Sequence, residues 1–344
     1  MADYLAETGS KRRLDVEFQR VSGPRANVLI RCSPARRARN RIILAPHIDT
    51  VGGDNLERLL KPRRAGVRLF GRGACDTKGS VAAMLAALVK VANAPRRPSE
   101  TEILLAALVD EESIQAGSRT LVKSRLRANL AIVGEPTRLK IVTAHKGVLW
   151  LELKTHGKAA HGARPELGKN AVHEMARAVD LLETKYAGQI ARRKHPLLGH
   201  ATVNVGAIHG GRQPNIVPAE CSALLDRRLL PREADAKVIR EIKELFVSQG
   251  LSVKIKPTHP APCFALETDP RNRWASELMR SIGQRNLVGV DYFSDAGVLS
   301  DAEIPSVLFG PGDIAQAHTP DEWIDVRQLQ RATDMLARFL QSLP

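Results

Sequence analysis

The chain has 344 residues, 43% hydrophobic and 26% charged, which predicts about two globular domains and makes disorder, collagen-like repeats and coiled coil poor interpretations. Its formal net charge of +15 is compatible with an anionic partner such as nucleic acid, or with a solvated basic surface. Aromatic residues make up only 4% of the chain and do not interleave the basic stretches at residues 36–41 and 61–68. We therefore favour a solvated surface and expect no nucleic-acid partner.

From residue 41 onward, apolar strands alternate with helical stretches, which is the pattern of an α/β domain. Continuously apolar runs, typical of strands buried on both faces, occupy residues 41–45, 101–109, 130–133 and 306–309. Helices are predicted at residues 79–92, 118–126 and 326–343. We predict a doubly wound mixed sheet formed by residues 1–146 and 258–344.

Between these two parts the character of the sequence changes. Strands are predicted at residues 148–155, 201–207, 219–229 and 251–256, and helices at residues 170–187 and 234–249. The order β-α-β-β-α-β is that of the ferredoxin-like unit. We therefore predict an inserted α+β domain at residues 147–257.

Neither a membrane span nor a disulfide framework is indicated. No stretch approaches the roughly 20 apolar residues that a membrane span requires, and the N-terminus lacks the apolar core of a signal peptide. The four cysteines have no CxxC spacing, which argues against disulfides and against a thiolate zinc site. We expect a cytoplasmic protein without a membrane partner.

Acidic and histidine side chains follow the C-terminal ends of the predicted core strands, and one acid lies in a glycine-rich loop. They are His47, Asp49, Asp76, Asp110, Glu111, Glu112, Glu135 and His318. In open α/β sheets the carboxyl ends of the strands form the ligand crevice. Carboxylates with imidazole and without thiolate suit Zn²⁺, Co²⁺ or Mn²⁺, and a shared carboxylate can bridge two ions about 3.5–4 Å apart.

Taken singly, each of these features has a plainer interpretation. The HxD pair at 47–49 could lie on the surface, the acids at 110–112 could be a solvated loop, and Asp76 could cap the next helix. The loop at 71–79 could hold a phosphate, although its lysine spacing is not that of a Walker loop. Their combined position at strand ends favours the metal site.

These residues carry a resemblance to a known family. HIDTV (47–51), GRGACDTKG (71–79), DEES followed by AGS (110–118), GEPT (134–137) and AHTPDE (317–322) are similar, in order, to the motifs of peptidase family M20. That family includes acetylornithine deacetylase, succinyl-diaminopimelate desuccinylase, aminoacylase and glutamate carboxypeptidase. AHKG (144–147), residues 204–211 and GPGDIAQAHTPDE (310–322) most resemble the acetylornithine deacetylase branch.

The resemblance also implies a role in metal binding or catalysis for most of these acids and histidines. It implies two divalent ions per subunit, Zn²⁺ or Co²⁺ with Mn²⁺ as an alternative. The implied ligands are His47 and Glu135 for one ion, Glu112 and His318 for the other, and Asp76 between them. Asp49 would support His47, and Glu111 would be the general base that takes a proton from water and returns it to the leaving amine.

For the inserted domain, the resemblance implies a dimerisation or lid domain. His161 matches a histidine that reaches into the partner subunit's active site, although without the resemblance it would be an exposed loop residue. Asn215 and Arg228 match positions that hold the substrate carboxylate, which an arginine can bind with two parallel hydrogen bonds. Arg228 could equally be a surface residue of a strand.

The expected function is removal of a short acyl group from an N-acyl amino acid by a homodimeric enzyme, with N-acetylornithine, and hence arginine biosynthesis, as the first candidate. Succinyl-diaminopimelate desuccinylase, aminoacylase and M20 dipeptidase or carboxypeptidase are alternatives. An inactive binding homologue is a further alternative, against which the intact ligand set argues.

Two departures from the family pattern stand out. Gly52 and Gly53 follow HIDTV where the family usually has proline, and the stretch to Gly71 is short. The chain also begins late, at what resembles the end of the helix that opens this fold, so either the start is misassigned or that helix is missing.

Overall fold

The computed structural model describes residues 1–52 and 56–344, so Gly53 and part of the shortened segment lie outside the described residues. The chain divides into two compact units. The first comprises Met1–Ala144, Leu266–Gly289 and Ser294–Pro344, and the second comprises His145–Ala265 and Val290–Phe293.

The inserted unit is longer than the predicted residues 147–257. The Val148 N–H donates to the Cys263 carbonyl at 2.9 Å. The Trp150 ring makes edge contacts with the rings of His259 and Phe293. These contacts hold residues 258–265 and 290–293 against the inserted sheet, so they belong to this unit.

The first unit is built on a six-stranded mixed sheet. Its strands, from one edge to the other, are Asp15–Ser22, Arg25–Cys32, Thr101–Ala107, Asn40–Pro46, Leu130–Gly134 and Ser306–Leu308. The last four run parallel to one another, and the first two form an antiparallel hairpin along the edge. The parallel strands are buried on both faces, which explains why their sequences are continuously apolar.

Helices cover both faces of this sheet, which confirms the predicted α/β class. They are Ala2–Lys11, Lys78–Ala92, Ala116–Lys123, Arg273–Ile282, Asp295–Asp301 and Val326–Gln341. The opening helix, Ala2–Lys11, packs through Leu5, which is buried in the same core as the apolar faces of Lys78–Ala92 and Val326–Gln341. The predicted helices at 79–92 and 326–343 therefore have the expected partner, the apolar sheet.

The second unit has the predicted β-α-β-β-α-β order. Its four-stranded antiparallel sheet has the spatial order Thr202–Gly210, Glu220–Leu229, Gly147–His156 and Val253–Pro257. The helices Ala171–Leu181 and Asp235–Ser248 supply the helical layer. Along Glu220–Leu229, side chains of odd number such as Leu225 are buried, and those of even number are more exposed. One sheet face is therefore buried and the other is accessible.

The remaining elements are short. The helix predicted at 170–187 is interrupted, because a wider π-helical turn, Leu182–Tyr186, separates Ala171–Leu181 from Ala187–Ile190. The other short elements are Leu56–Leu59, Arg63–Ala65, Arg68–Phe70, Ala144–His145, Pro165–Leu167, Lys194–His195, Gly199–His200, Leu266–Glu267, Gly289–Val290, Ile314–Gln316 and Trp323–Asp325. Within the described residues, no helix is long and apolar enough to cross a membrane.

Candidate metal centre

The candidate site lies at the carboxyl ends of the parallel strands of the first unit. His47 directly follows strand Asn40–Pro46, and Glu135 directly follows Leu130–Gly134, and the last residues of these two strands are paired. Because neighbouring parallel strands end at the same edge, the two side chains lie together. Asp76 comes two residues before helix Lys78–Ala92.

The structure brings all five predicted ligands together in two groups that share Asp76. Ligand atoms of His47, Asp76 and Glu135 lie within 4.8 Å of one another, and the same holds for Asp76, Glu112 and His318. His47 Nε2 is 3.1 Å from Asp76 Oδ1, and His318 Nε2 is 3.2 Å from Asp76 Oδ2. The two oxygens of Asp76 therefore face one imidazole each.

Asp49 contacts two parts of the site. Its carboxylate lies 3.5 Å from His47 Nδ1, and its backbone carbonyl oxygen lies 3.2 Å from the same nitrogen. The same carboxylate accepts the backbone N–H of Glu111 at 3.2 Å and that of Glu112 at 3.1 Å. Asp49 therefore holds the loop that carries the predicted general base and one predicted ligand.

The pKa values reflect burial and the pairing of acids with imidazoles. Burial would raise the pKa of Asp76, but hydrogen bonds from His318 and His47 outweigh it and hold that pKa well below its usual range. Hydrogen bonds to Asp76 and Glu112 raise the pKa of His318 to about 10. Burial, together with neighbouring carboxylates, raises the pKa values of Glu111 and Glu135 well above the ordinary range.

The donor set fits divalent cations. Six acidic side chains interact electrostatically around two imidazoles: Asp49, Asp76, Glu111, Glu112, Glu135 and Asp295. Glu135 Oε1 is buried and has no hydrogen-bond partner among the residues described. An unpartnered buried carboxylate oxygen is costly unless a cation or proton meets it. Cys75 is fully buried, and burial raises the pKa of its thiol to about 12, as in a packed cysteine that is not a thiolate ligand.

Glu322 and Asp295 also lie in this region, although neither is among the site residues predicted from the sequence. Glu322 ends the motif AHTPDE, and its buried carboxylate accepts the backbone N–H of Asp76 at 2.9 Å. Asp295 begins helix Asp295–Asp301, and its carboxylate accepts the Ser118 hydroxyl. Burial raises the pKa of Asp295 to about 6. The position of Glu322 in the motif AHTPDE could have marked it as a site residue. Asp295 had no comparable signal, because an acid after a helix-capping serine is common at the start of helices.

The three predicted lid residues lie in the second unit. His161 forms an isolated β-bridge with Ile216, and the Gly162 N–H donates to the Asn215 carbonyl at 2.7 Å, so His161 and Asn215 occupy adjoining loops. Arg228 donates from Nε and Nη2 to the two carboxylate oxygens of Asp226, at 2.9 and 3.0 Å. The predicted carboxylate-binding arginine therefore already has a carboxylate partner on its own strand.

Two groups of imidazole and carboxylate that share Asp76, at the carboxyl edge of an α/β sheet, suit a metal centre of the kind that metal-dependent hydrolases use. The sequence matches peptidase family M20/M25/M40 over residues 43–342, and the chain belongs to this family. It is therefore a hydrolase of amide bonds, as the sequence predicts.

Curated relatives cover most of the chain. A peptidase M20 domain-containing protein of Schizosaccharomyces pombe is 32% identical over 336 residues, which are 96% of this chain and 76% of that protein. An acetylornithine deacetylase of Myxococcus xanthus is 34% identical over 281 residues, 79% of this chain and 71% of that protein. The fold is similar to that of an M20 family metallo-carboxypeptidase from Sulfolobus solfataricus, with a TM-score of 0.78, 19% identity and coverage of 99% and 93% of the two chains.

Proposed function

We propose that the chain is a dinuclear metal amidohydrolase that removes a short acyl group from an N-acyl amino acid, with N-acetylornithine as the first candidate. The observation that carries the proposal is the sharing of Asp76 by two groups of ligand atoms, each with its own histidine. A carboxylate in that position suits a bridge between two divalent ions. Zn²⁺ and Co²⁺ are the proposed ions, with Mn²⁺ as the alternative, because the donors are imidazole and carboxylate.

The proposed ligands are His47 and Glu135 for one ion and Glu112 and His318 for the other. When bound, the ions would polarise the acyl carbonyl and stabilise the negative charge that develops on its oxygen. Glu111 takes a proton from the attacking water and later gives it to the leaving amine, which is a poor leaving group unless protonated.

Asp49 positions both participants of this chemistry. Its carboxylate lies against the His47 imidazole and accepts the backbone N–H of Glu111. A carboxylate that faces the second ring nitrogen of a ligating histidine fixes the ring's orientation and increases its basicity. Asp49 thus holds the proposed ligand His47 and the proposed base Glu111 in place relative to each other.

The substrate proposal rests on the relatives and on the accessible face of the second unit. The Myxococcus xanthus relative is named acetylornithine deacetylase, and the substrate of such an enzyme has a free α-carboxylate and a small neutral acyl group. Arg228 and Asn215 are the proposed partners of the carboxylate. Succinyl-diaminopimelate desuccinylase, aminoacylase and dipeptidase or carboxypeptidase activity remain the alternatives within the family. The intact ligand set argues against an inactive binding homologue.

We expect a higher kcat/KM for N-acetylornithine than for N-succinyl-diaminopimelate, because a succinyl group would need a second cation near the acyl pocket.

Arg228→Ala should raise KM by roughly 10- to 100-fold with little change in kcat, since it removes a charged hydrogen bond to the substrate. Arg240→Ala, which removes an exposed charge from helix Asp235–Ser248, is the matched control. Steady-state kinetics on one metal-loaded preparation decide between the substrates, and a preference for the succinyl compound would replace N-acetylornithine while leaving the hydrolase proposal intact.

A homodimer formed through the second unit is also proposed. Strand Thr202–Gly210 lies at the edge of its sheet. The backbone N–H and C=O groups of an edge strand can form hydrogen bonds with a strand of another chain. Ile208 on this strand is 49% exposed and Leu224 on the neighbouring strand is 45% exposed, so apolar surface accompanies the free edge. Both features support an interface between two copies.

Catalysis by His161 from the partner subunit has a direct test. His161→Ala and Glu111→Gln subunits, each inactive alone, should recover partial activity when mixed, because a mixed dimer contains one site with both residues intact. The rate is measured after subunit exchange has been verified with differently tagged chains. Each variant mixed with itself is the control, and absence of recovery in the mixed sample would remove either His161 or the dimer from the proposal.

Cytoplasmic location and a place in arginine biosynthesis would follow from N-acetylornithine as substrate, and they depend on that assignment.

A further inference from the structure

The Glu322 carboxylate is the centre of a buried hydrogen-bond cluster beside the candidate metal centre. Its side chain is 0% exposed. Oε1 accepts the backbone N–H of Cys75 at 2.8 Å and that of Asp76 at 2.9 Å. Oε2 accepts the backbone N–H of Gly73 and Arg72 Nη1, each at 2.9 Å. All four acceptor directions of this carboxylate are therefore used by one loop, three of them by its backbone N–H groups.

This cluster joins two chain segments that each carry a proposed ligand. Glu322 lies four residues after His318, while its partners belong to the loop that ends in Asp76. The Glu322 carbonyl additionally accepts the Gly71 N–H at 3.0 Å. His318 Nε2 lies 3.2 Å from Asp76 Oδ2, so the two segments that Glu322 joins also contact each other through their proposed ligands.

The loop is also held closely by packing. Gly73 has a φ of +79°, and a Cβ at this position would lie 2.7 Å from Thr50 Cγ2. A Cβ at Gly79 would lie 2.5 Å from Ile324 Cδ1 and 2.7 Å from the Ala74 carbonyl oxygen. The loop around Asp76 thus has direct neighbours on both sides, including the segment that follows Glu322.

We propose that Glu322 is a positioning residue for the metal centre, which fixes the backbone at Asp76 so that one carboxylate oxygen is presented to each of two divalent ions. This inference rests on the proposed function. Hydrogen bonds from N–H groups to an ionised carboxylate are shorter and stronger than neutral ones, so the loop is held firmly. Outer residues that orient metal ligands commonly change metal affinity by about 10- to 100-fold when replaced.

Glu322→Gln is the sharpest substitution, because it keeps the shape of the side chain. Each carboxylate oxygen accepts from two donors. In either orientation of the amide, its NH₂ group replaces one oxygen and faces two donors instead of accepting from them. The loop must then move away from the amide, and Asp76 moves with it. We expect Co²⁺ to bind roughly 10- to 100-fold more weakly to metal-free Glu322→Gln than to the wild type.

The measurement is calorimetric titration of the metal-free proteins with Co²⁺, followed also by the visible absorption of the bound ion. Cooperative thermal unfolding of each metal-free protein reports whether it is folded. Leu336→Ala is the matched control, because it weakens the core at the buried Leu336 of helix Val326–Gln341 without touching the loop at 71–76. We expect it to unfold at lower temperature and to bind Co²⁺ like the wild type.

A second variant, Glu322→Asp, keeps the charge beside Arg72 but withdraws the carboxylate from the loop, and it should weaken Co²⁺ binding in the same direction. The proposal is overturned if folded Glu322→Gln binds two Co²⁺ ions as tightly as the wild type, or if Leu336→Ala loses affinity to the same extent. It is equally overturned if neither Glu322 variant folds, because the carboxylate then serves the fold. A wild-type protein that binds no pair of Co²⁺ ions would instead contradict the proposed function itself.

Discussion

Glu111→Gln should lower kcat by at least roughly 10²–10⁴-fold while leaving the metal content and KM near their wild-type values. The glutamine side chain has nearly the same shape as glutamate, but its amide cannot accept a proton from the attacking water. The backbone N–H of Glu111, which donates to Asp49, is unaffected by the substitution. The loop should therefore stay in place, and the loss should appear in the chemical step alone. Steady-state kinetics and elemental analysis on the same preparation measure both quantities.

The neighbouring acid provides the matched comparison. Glu112 lies 3.2 Å from His318 and belongs to one of the two groups of ligand atoms, so Glu112→Gln should weaken metal binding. Added metal should restore part of the activity of Glu112→Gln and none of that of Glu111→Gln. The reverse pattern would exchange the proposed roles of these adjacent residues.

The ligands at strand ends could be predicted from the sequence because parallel strands share one carboxyl edge. His47 and Glu135 follow strands that are neighbours in the sheet, and both strands were recognisable as short, continuously apolar runs. The sequence shows which residues end the strands. The grouping of side chains from distant parts of the chain, such as His318 with Asp76, came only from the resemblance, and the distance of 3.2 Å between them comes from the structure.

The edge hairpin Asp15–Ser22 and Arg25–Cys32 was not predicted. The outer strand, DVEFQRVS, is polar and largely exposed, so it lacks the apolar run that marks the central strands. A signal was present at the turn, where Gly23 has a φ of +53° and is followed by Pro24. Helix Arg273–Ile282 was also missed, although Asn272 caps its start and Gly283, with a φ of +75°, ends it.

The role of Glu322 could not be read from the sequence for a different physical reason. Three of the four groups that donate to its carboxylate are backbone N–H groups, which every residue except proline possesses. Residue types therefore carry no record of such contacts. The pairing of Arg228 with Asp226 could have been read from the sequence. The two residues are two positions apart on one strand, which places both side chains on the same face of the sheet.

Asp76→Ala should abolish the binding of both ions and reduce hydrolysis by more than roughly 100-fold. Replacing a residue that only orients a metal ligand costs up to about 100-fold in activity, so the loss of a ligand itself should exceed that value. Asp76 belongs to both groups of ligand atoms, whereas each other ligand belongs to one. Removing it takes a donor from both ions at once. It also removes one of the two carboxylates that each of His47 and His318 contacts, and leaves Asp49 beside His47 and Glu112 beside His318. Elemental analysis of protein purified without chelator gives the ion content per chain.

The control is Asp334→Ala, which removes an exposed acid that pairs with Lys90 on the protein surface. An exposed ion pair contributes about 0–1 kcal/mol to stability, so this variant should keep both ions and full activity. Loss of only one ion from Asp76→Ala would show that Asp76 serves a single metal and that the second group has its own complete set of donors. Wild-type protein that hydrolyses amides at full rate after exhaustive chelation would contradict the proposed metal dependence altogether, because Glu111 alone cannot polarise an amide carbonyl.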